Sequence, residues 1–78
     1  MNGHAGEVRE LVARQLGRHH VALDDRLVED LGAESADLVT IVAVLEEAYH
    51  VSVDEERLPL IHTVRDLAEE VARLRGGG

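Results

Sequence analysis

The chain has 78 residues, enough for one domain, and no cysteine, so neither a disulfide framework nor a thiolate metal site supplements its core. Sixteen acidic residues against eight arginines, with no lysine, give a formal net charge of −8. On charge alone this acidity reads first as keeping a small protein soluble; it also repels nucleic acid and anionic membranes and favours a partner with a basic face. Hydrophobic periodicity then marks the elements in chain order. Val8, Leu11, Val12 and Leu16 recur at i, i+3, i+4 and i+8 and predict a first amphipathic helix, ended by Gly17 and Arg18-His19-His20. The stretch from His19 to about Glu34 is long for a helix–helix connection, and Val21, Leu23, Leu27 and Leu31 supply it with apolar plugs for the core. Leu38, Ile41, Val42, Leu45 and Tyr49 predict the second helix.

Beyond His50, Asp54-Glu55-Glu56-Arg57-Leu58 is enough for one short helix started by Asp54, which Pro59 is expected to stop. Val51-Ser52-Val53 alternates but is too short for a strand. Val64, Leu67, Ala68, Val71 and Leu74 form the stripe of the last helix, opened by Thr63 and Asp66 as a capping-box variant. Arg73 and Arg75 suit the negative end of its dipole. The predicted architecture is all-α: three main helices, one short helix and a long first loop in a single domain over 1–78, structured from about 5 to 75 with a flexible glycine tail at 76–78. No apolar run approaches the roughly 20 residues of a membrane span. The start of the chain lacks the basic and apolar regions of a secretory signal, so a cytoplasmic monomer is expected.

The chemistry concentrates where the second helix begins: Asp30-Leu31-Gly32-Ala33-Glu34-Ser35-Ala36-Asp37-Leu38. Read alone, Ser35 is an N-cap whose hydroxyl accepts from the exposed amides of the first turn. The five histidines have no helical i, i+4 spacing with carboxylate support, so no metal site is expected. Gly32-Ala33-Glu34-Ser35-Ala36 is not a nucleophile elbow, and no constellation for catalysis is present. The acidic runs Glu46-Glu47, Asp54-Glu55-Glu56 and Glu69-Glu70 read mostly as solvated faces.

Five features in order resemble the acyl carrier protein family. They are the long leucine-bearing loop, the Leu-Gly-x-acid-Ser turn, the Leu45-Glu46-Glu47 end of the second helix with Tyr49, the short third helix, and the Thr-Val-x-Asp-Leu start of the last. The resemblance implies a non-catalytic carrier whose Ser35 bears 4′-phosphopantetheine, transferred from coenzyme A by a phosphopantetheinyl transferase, with acyl groups held as thioesters on the arm's thiol. It also implies that acyl-loading and condensing enzymes with basic faces dock around Glu34, Ala36, Asp37, Val39, Thr40, Ala43, Glu46 and Glu47. The chain departs from the family pattern in several places. Glu34 replaces the aspartate before the serine, Ala36 the leucine after it, and His50 the glycine after the second helix. Thr40 and Ala43 stand where fatty-acid carriers tend to have glutamate and methionine. This smaller, more neutral face points to dedicated partners in polyketide or other specialised (antibiotic) biosynthesis ahead of bulk fatty-acid biosynthesis, while arginine without lysine looks like the codon bias of a GC-rich bacterium. The alternatives are an aminoacyl or peptidyl carrier, or an unmodified carrier-fold interaction module.

Overall fold

A computed structural model describes residues 4–76; positions 77 and 78 of the predicted tail lie outside them. Helix α1 spans Ala5–Gln15, α2 spans Ser35–Tyr49, a 3-10 helix spans Glu55–Leu60, and α3 spans Val64–Leu74. No strand forms among the described residues; the one sheet-like feature is an isolated bridge between Arg26 and Thr63. The all-α bundle with a long first loop is therefore the observed fold. Its core is aliphatic. Val8 and Val12 of α1, Ile41 and Leu45 of α2, and Val64, Leu67 and Val71 of α3 are buried together. Each apolar stripe read from the sequence faces inward, because the 3.6-residue period puts i, i+3 and i+4 side chains on one face.

The long loop is a structural element of its own. Val21, Leu27 and Leu31 are buried and Leu23 packs against them from the edge. The loop backbone is laced to the start of α3: the Leu27 amide donates to the His62 carbonyl at 2.8 Å, Val64 to Asp25 at 3.1 Å, and Arg65 to Leu23 at 2.8 Å. Arg26 closes its own turn by donating to Asp30 from the backbone at 2.8 Å and from Nε at 3.1 Å. Arg65 reaches back to Asp24 at 2.8 Å. The predicted plugs thus fold inward because the polar backbone between them is satisfied by α3.

Three local details decide how the helices end. Thr63 caps α3, its hydroxyl accepting from the Asp66 amide at 3.0 Å while the Asp66 carboxylate accepts from the His62 and Thr63 amides at 2.8 and 3.1 Å. Helix α2 ends at His50, which adopts the left-handed conformation with φ 57° and ψ 47°. Pro59 does not stop the short helix as expected; it lies inside the segment Glu55–Leu60. A 3-10 turn accommodates it because proline's fixed φ already matches that geometry, and only one amide is lost.

Two side-chain clusters close the bundle. At one end Tyr49 donates its hydroxyl to Glu7 at 2.8 Å, meets the His4 ring edge-on at 5.0 Å, and has Arg75 over its face. Burial and the Glu7 carboxylate together push the Tyr49 phenol up to about 12. On the other side Glu70, read from the sequence as a solvated acid, is buried at 6 % exposure. It accepts from Arg57 at 2.8 Å and from Arg73 at 2.7 Å. The two guanidiniums supply the charge and hydrogen bonds that let a carboxylate leave water.

These partners set the acid response. Arg73, and Arg57 after it, hold the Glu70 carboxyl below its ordinary value of 4.5 against the opposing push of burial. Burial also pushes Asp66 up, but the amides and hydroxyl it accepts from outweigh this and hold it below 3.8. Folded-state values below unfolded ones mean stabilisation that is present above the ordinary carboxylate range and lost as pH falls through the folded values. Urea-unfolding midpoints should therefore decline as pH is lowered beneath 4.5. Separately, His50→Gly removes a left-handed strain of about 1–2 kcal/mol while adding unfolded-chain entropy of about 0.4–1 kcal/mol. The variant should gain about 0.5–1 kcal/mol in urea titrations, a rise of several degrees in Tm.

Candidate functional site

Helix α2 starts where the loop delivers it. After the tight turn at Gly32, which has φ 70°, Ala33 is buried and donates its amide to the Leu27 carbonyl at 2.9 Å. This fixes the approach of Glu34. The residue that caps α2 is Glu34, with extended backbone, and not Ser35, which is the first helical residue. Glu34 and Asp37 form a capping box, and in it the Glu34 amide donates to the Asp37 carboxylate at 3.0 Å. The expectation that Ser35 is the cap is thus corrected. Asp37 stands three residues after the cap and reaches back to position 34; from Ser35 the corresponding residue is the apolar Leu38.

Capping by Glu34 frees the serine. Ser35 is exposed, and its hydroxyl makes no hydrogen bond to any other described residue. Beside it opens a cavity of about 210 Å³ lined by Leu27, Leu38, Val39, Ile41, Val42, Leu58, Ile61 and Leu67, with Ser35 the single polar residue among them. Loop, α2, 3-10 helix and α3 all contribute to this wall. The site therefore presents an unbonded hydroxyl, at the positive end of a 15-residue helix, on the rim of an apolar cavity. Helix-start amides and dipole suit a phosphate ester, and the cavity suits an apolar chain.

The other residues predicted for the site are placed as follows. Ala36, Val39, Thr40, Ala43 and Glu47 are exposed along α2, Val39 with 65 % of its surface accessible. Thr40 turns its hydroxyl back to the Ala36 carbonyl at 3.0 Å. Asp37 is half-buried and committed to the capping box. Glu46 is also half-buried, and its carboxylate accepts from the Val53 amide at 2.8 Å, anchoring the chain after α2. Among the described residues, the Glu47 side chain makes no internal hydrogen bond, and Glu34 has no internal duty beyond the cap. The contributions of Leu58, Ile61 and Leu67 to the cavity were not legible as a site in the sequence. For Leu58 and Ile61 the signal was the apolar run Leu58-Pro59-Leu60-Ile61 and for Leu67 the stripe of the last helix, both of which read equally well as core.

Comparison with known proteins bears on this geometry. Residues 6–71 match the family model described as "Phosphopantetheine attachment site". An acyl carrier protein of Syntrophobacter fumaroxidans is 35% identical over 69 residues, covering 86% of this chain and 85% of that protein. One from Akkermansia muciniphila is 32% identical over 72 residues, covering 90% of each. Among solved structures, a chain from "The ishigamide ketosynthase/chain length factor" superposes with a TM-score of 0.77 at 26% identity, covering 97% of this chain and 99% of that one.

Because its hydroxyl has no partner, Ser35→Ala should leave stability within about 0.5 kcal/mol of the parent. Asp37→Ala, which removes the capping-box acceptor, should cost about 1 kcal/mol in the same urea titrations. A free hydroxyl at the start of α2, an apolar cavity beside it and a family match over 6–71 agree: the chain belongs to the acyl carrier protein family, whose cofactor is 4′-phosphopantetheine.

Proposed function

We propose that this protein carries acyl groups on a 4′-phosphopantetheine arm attached to Ser35 by a separate phosphopantetheinyl transferase. The observation that carries this reading is the unbonded, exposed Ser35 hydroxyl at the first position of α2. A substrate hydroxyl must be reachable by the enzyme that modifies it, and here no internal bond has to break first. The residues around it fit a phosphodiester: the first-turn amides of α2 face the serine's end of the helix, and the dipole adds partial positive charge. Asp37 is close enough to oppose a phosphate, but its carboxylate already accepts the Glu34 amide, which offsets part of its charge.

The group itself supplies a thiol that holds an acyl chain as a thioester. The chain's own residues do the rest. Leu38, Val39, Val42, Leu58 and Ile61 offer an apolar surface next to the attachment point. They exclude water from whatever apolar chain lies against them. None of these residues is a general acid, base or nucleophile, which accords with a carrier and not a catalyst.

The structural likeness to a chain from a ketosynthase/chain length factor structure supports a condensing enzyme of that type among the partners. It favours polyketide or other specialised biosynthesis. Docking falls on the exposed face of α2 around Ala36, Val39, Thr40, Ala43 and Glu47, with Glu34 at its edge. Since Glu46 and Asp37 are committed internally, the centre of this face is nearly neutral. Partners with basic faces meet acids at its margins, and small and apolar groups in its middle. A cytoplasmic location follows from the use of coenzyme A as donor.

Incubation with coenzyme A and a broad-specificity phosphopantetheinyl transferase should raise the intact mass by one phosphopantetheinyl group. Ser35→Ala should show no gain. Failure across several such transferases, or a gain that persists in the alanine variant, overturns the assignment.

A further inference from the structure

The 3-10 segment is attached to the rest of the protein in an unusual way. None of its residues is buried. Its backbone bonds, Arg57 to Asp54 at 2.9 Å and Ile61 to Leu58 at 3.1 Å, are internal to the turn. The chain is pinned just before it, where Val53 donates to Glu46, and just after it, where His62 donates to Asp66 and accepts from Leu27. Between those two anchors the sole hydrogen bond or ion pair to another element, among the described residues, is Arg57 Nε to Glu70 Oε2 at 2.8 Å. Residues 54–61 therefore form a strap fixed at both ends and tied once in the middle by a hydrogen bond, with Asp54 at its start also attracted through space to Arg73. The tie lies next to Leu58, and the strap ends in Ile61; both line the cavity at Ser35.

The acceptor end of the tie has a second partner. Glu70 is buried, and removing the only counter-charge from such a carboxylate is strongly destabilising. Here Arg73 binds the same Oε2 at 2.7 Å and the other oxygen at 3.4 Å from its own helix, one turn away. When Arg57 lets go, Glu70 keeps a counter-ion within α3. Arg57 itself is 38 % exposed and returns to water at little cost. The geometry points to Arg57 and Glu70 as positioning residues that latch the strap over the cavity, with Arg73 as the stand-in partner that makes release reversible. What enters the cavity on release rests on the carrier reading; the latch itself does not.

Amide hydrogen exchange on the full, unmodified chain tests this directly. In Arg57→Gln the Arg57-position and Ile61 amides should exchange about 5- to 10-fold faster than in the parent, since a hydrogen bond to a charged group is lost. The core amides of Val12, Leu45 and Val71 should stay unchanged. Arg57→Lys, which keeps the charge, should recover part of the protection. Arg73→Gln should act in the opposite sense and slow strap exchange, because release would then strand a buried carboxylate. Unchanged strap exchange in Arg57→Gln, or core amides rising in step with it, overturns the latch. So does faster exchange at Ile61 in Arg73→Gln, a position away from the Asp54 end of the strap that Arg73 also attracts. A second arm follows the Leu58 and Ile61 methyl resonances after Ser35 is loaded with a short acyl chain, where Arg57→Gln should enlarge their shifts. If the protein cannot be loaded, the carrier reading fails while the exchange result still stands.

Discussion

The backbone of Leu27 is the junction on which the rest of the structure depends. Its amide donates to His62, its carbonyl accepts from Ala33, and its side chain is almost wholly buried in the core. One residue thereby ties the long loop to the start of α3 and to the start of α2. Without the first bond, the strap after α2 would lose one of the two bonds of its downstream anchor. Without the second, the turn at Gly32 would not deliver Glu34 and Ser35 in register. Buried backbone groups must be paired, and this chain meets that demand by spending its loop amides on the ends of two helices. The cavity beside Ser35 is lined by residues from the first part of both helices, so its position follows from the same bonds.

Capping and carrying are divided between neighbours. A serine at the head of a helix is ordinarily engaged by the exposed amides, and a hydroxyl so engaged is a poorer substrate for another enzyme. Here Glu34 takes the capping position and Asp37 closes the box, leaving the adjacent serine idle. Glutamate is a weaker cap than serine by preference, so helix stability is traded locally for an available hydroxyl. The acids flanking Ser35 have this structural duty as well as any part in recognition. That explains why acidity persists at positions 34 and 37 although it opposes a phosphate at 35.

Much of this was legible in the sequence. The apolar stripes of all three α-helices, the plugging leucines of the loop and the Thr63–Asp66 cap follow from periodicity and spacing, which act locally. The left-handed His50 was signalled by its standing where the resembled family has glycine, a place histidine tolerates because it enters positive φ more readily than most residues. The identity of the α2 cap was legible too, because Asp37 lies three residues after Glu34; the stronger general preference for serine masked it. Two features were not legible. Glu69 and Glu70 look alike in sequence, and only the arrival of Arg57 from another element decides that Glu70 is the buried one. Glu46 follows the pattern of an outward acid, yet the chain reversal at His50 brings the Val53 amide onto it. Both depend on contacts between residues distant in the chain or beyond a turn, where pattern rules carry no information. Pro59 belongs with them: its effect depends on whether the helix is α or 3-10, and composition does not distinguish the two.

Tyr49 is the chain's only aromatic residue other than histidine, and it stands at the opposite end of α2 from Ser35. Fourteen residues at a rise of about 1.5 Å put the two ends about 21 Å apart. The phenol is gripped by Glu7 and roofed by Arg75, so its surroundings are made by the closing of α1 and α3 on α2. Intrinsic ultraviolet emission from this protein therefore reports on the integrity of the bundle and is nearly blind to the cargo end. Optical access to loading requires a chromophore placed on the strap or the loop, and any spectral change at the native tyrosine signals loosening of the whole fold.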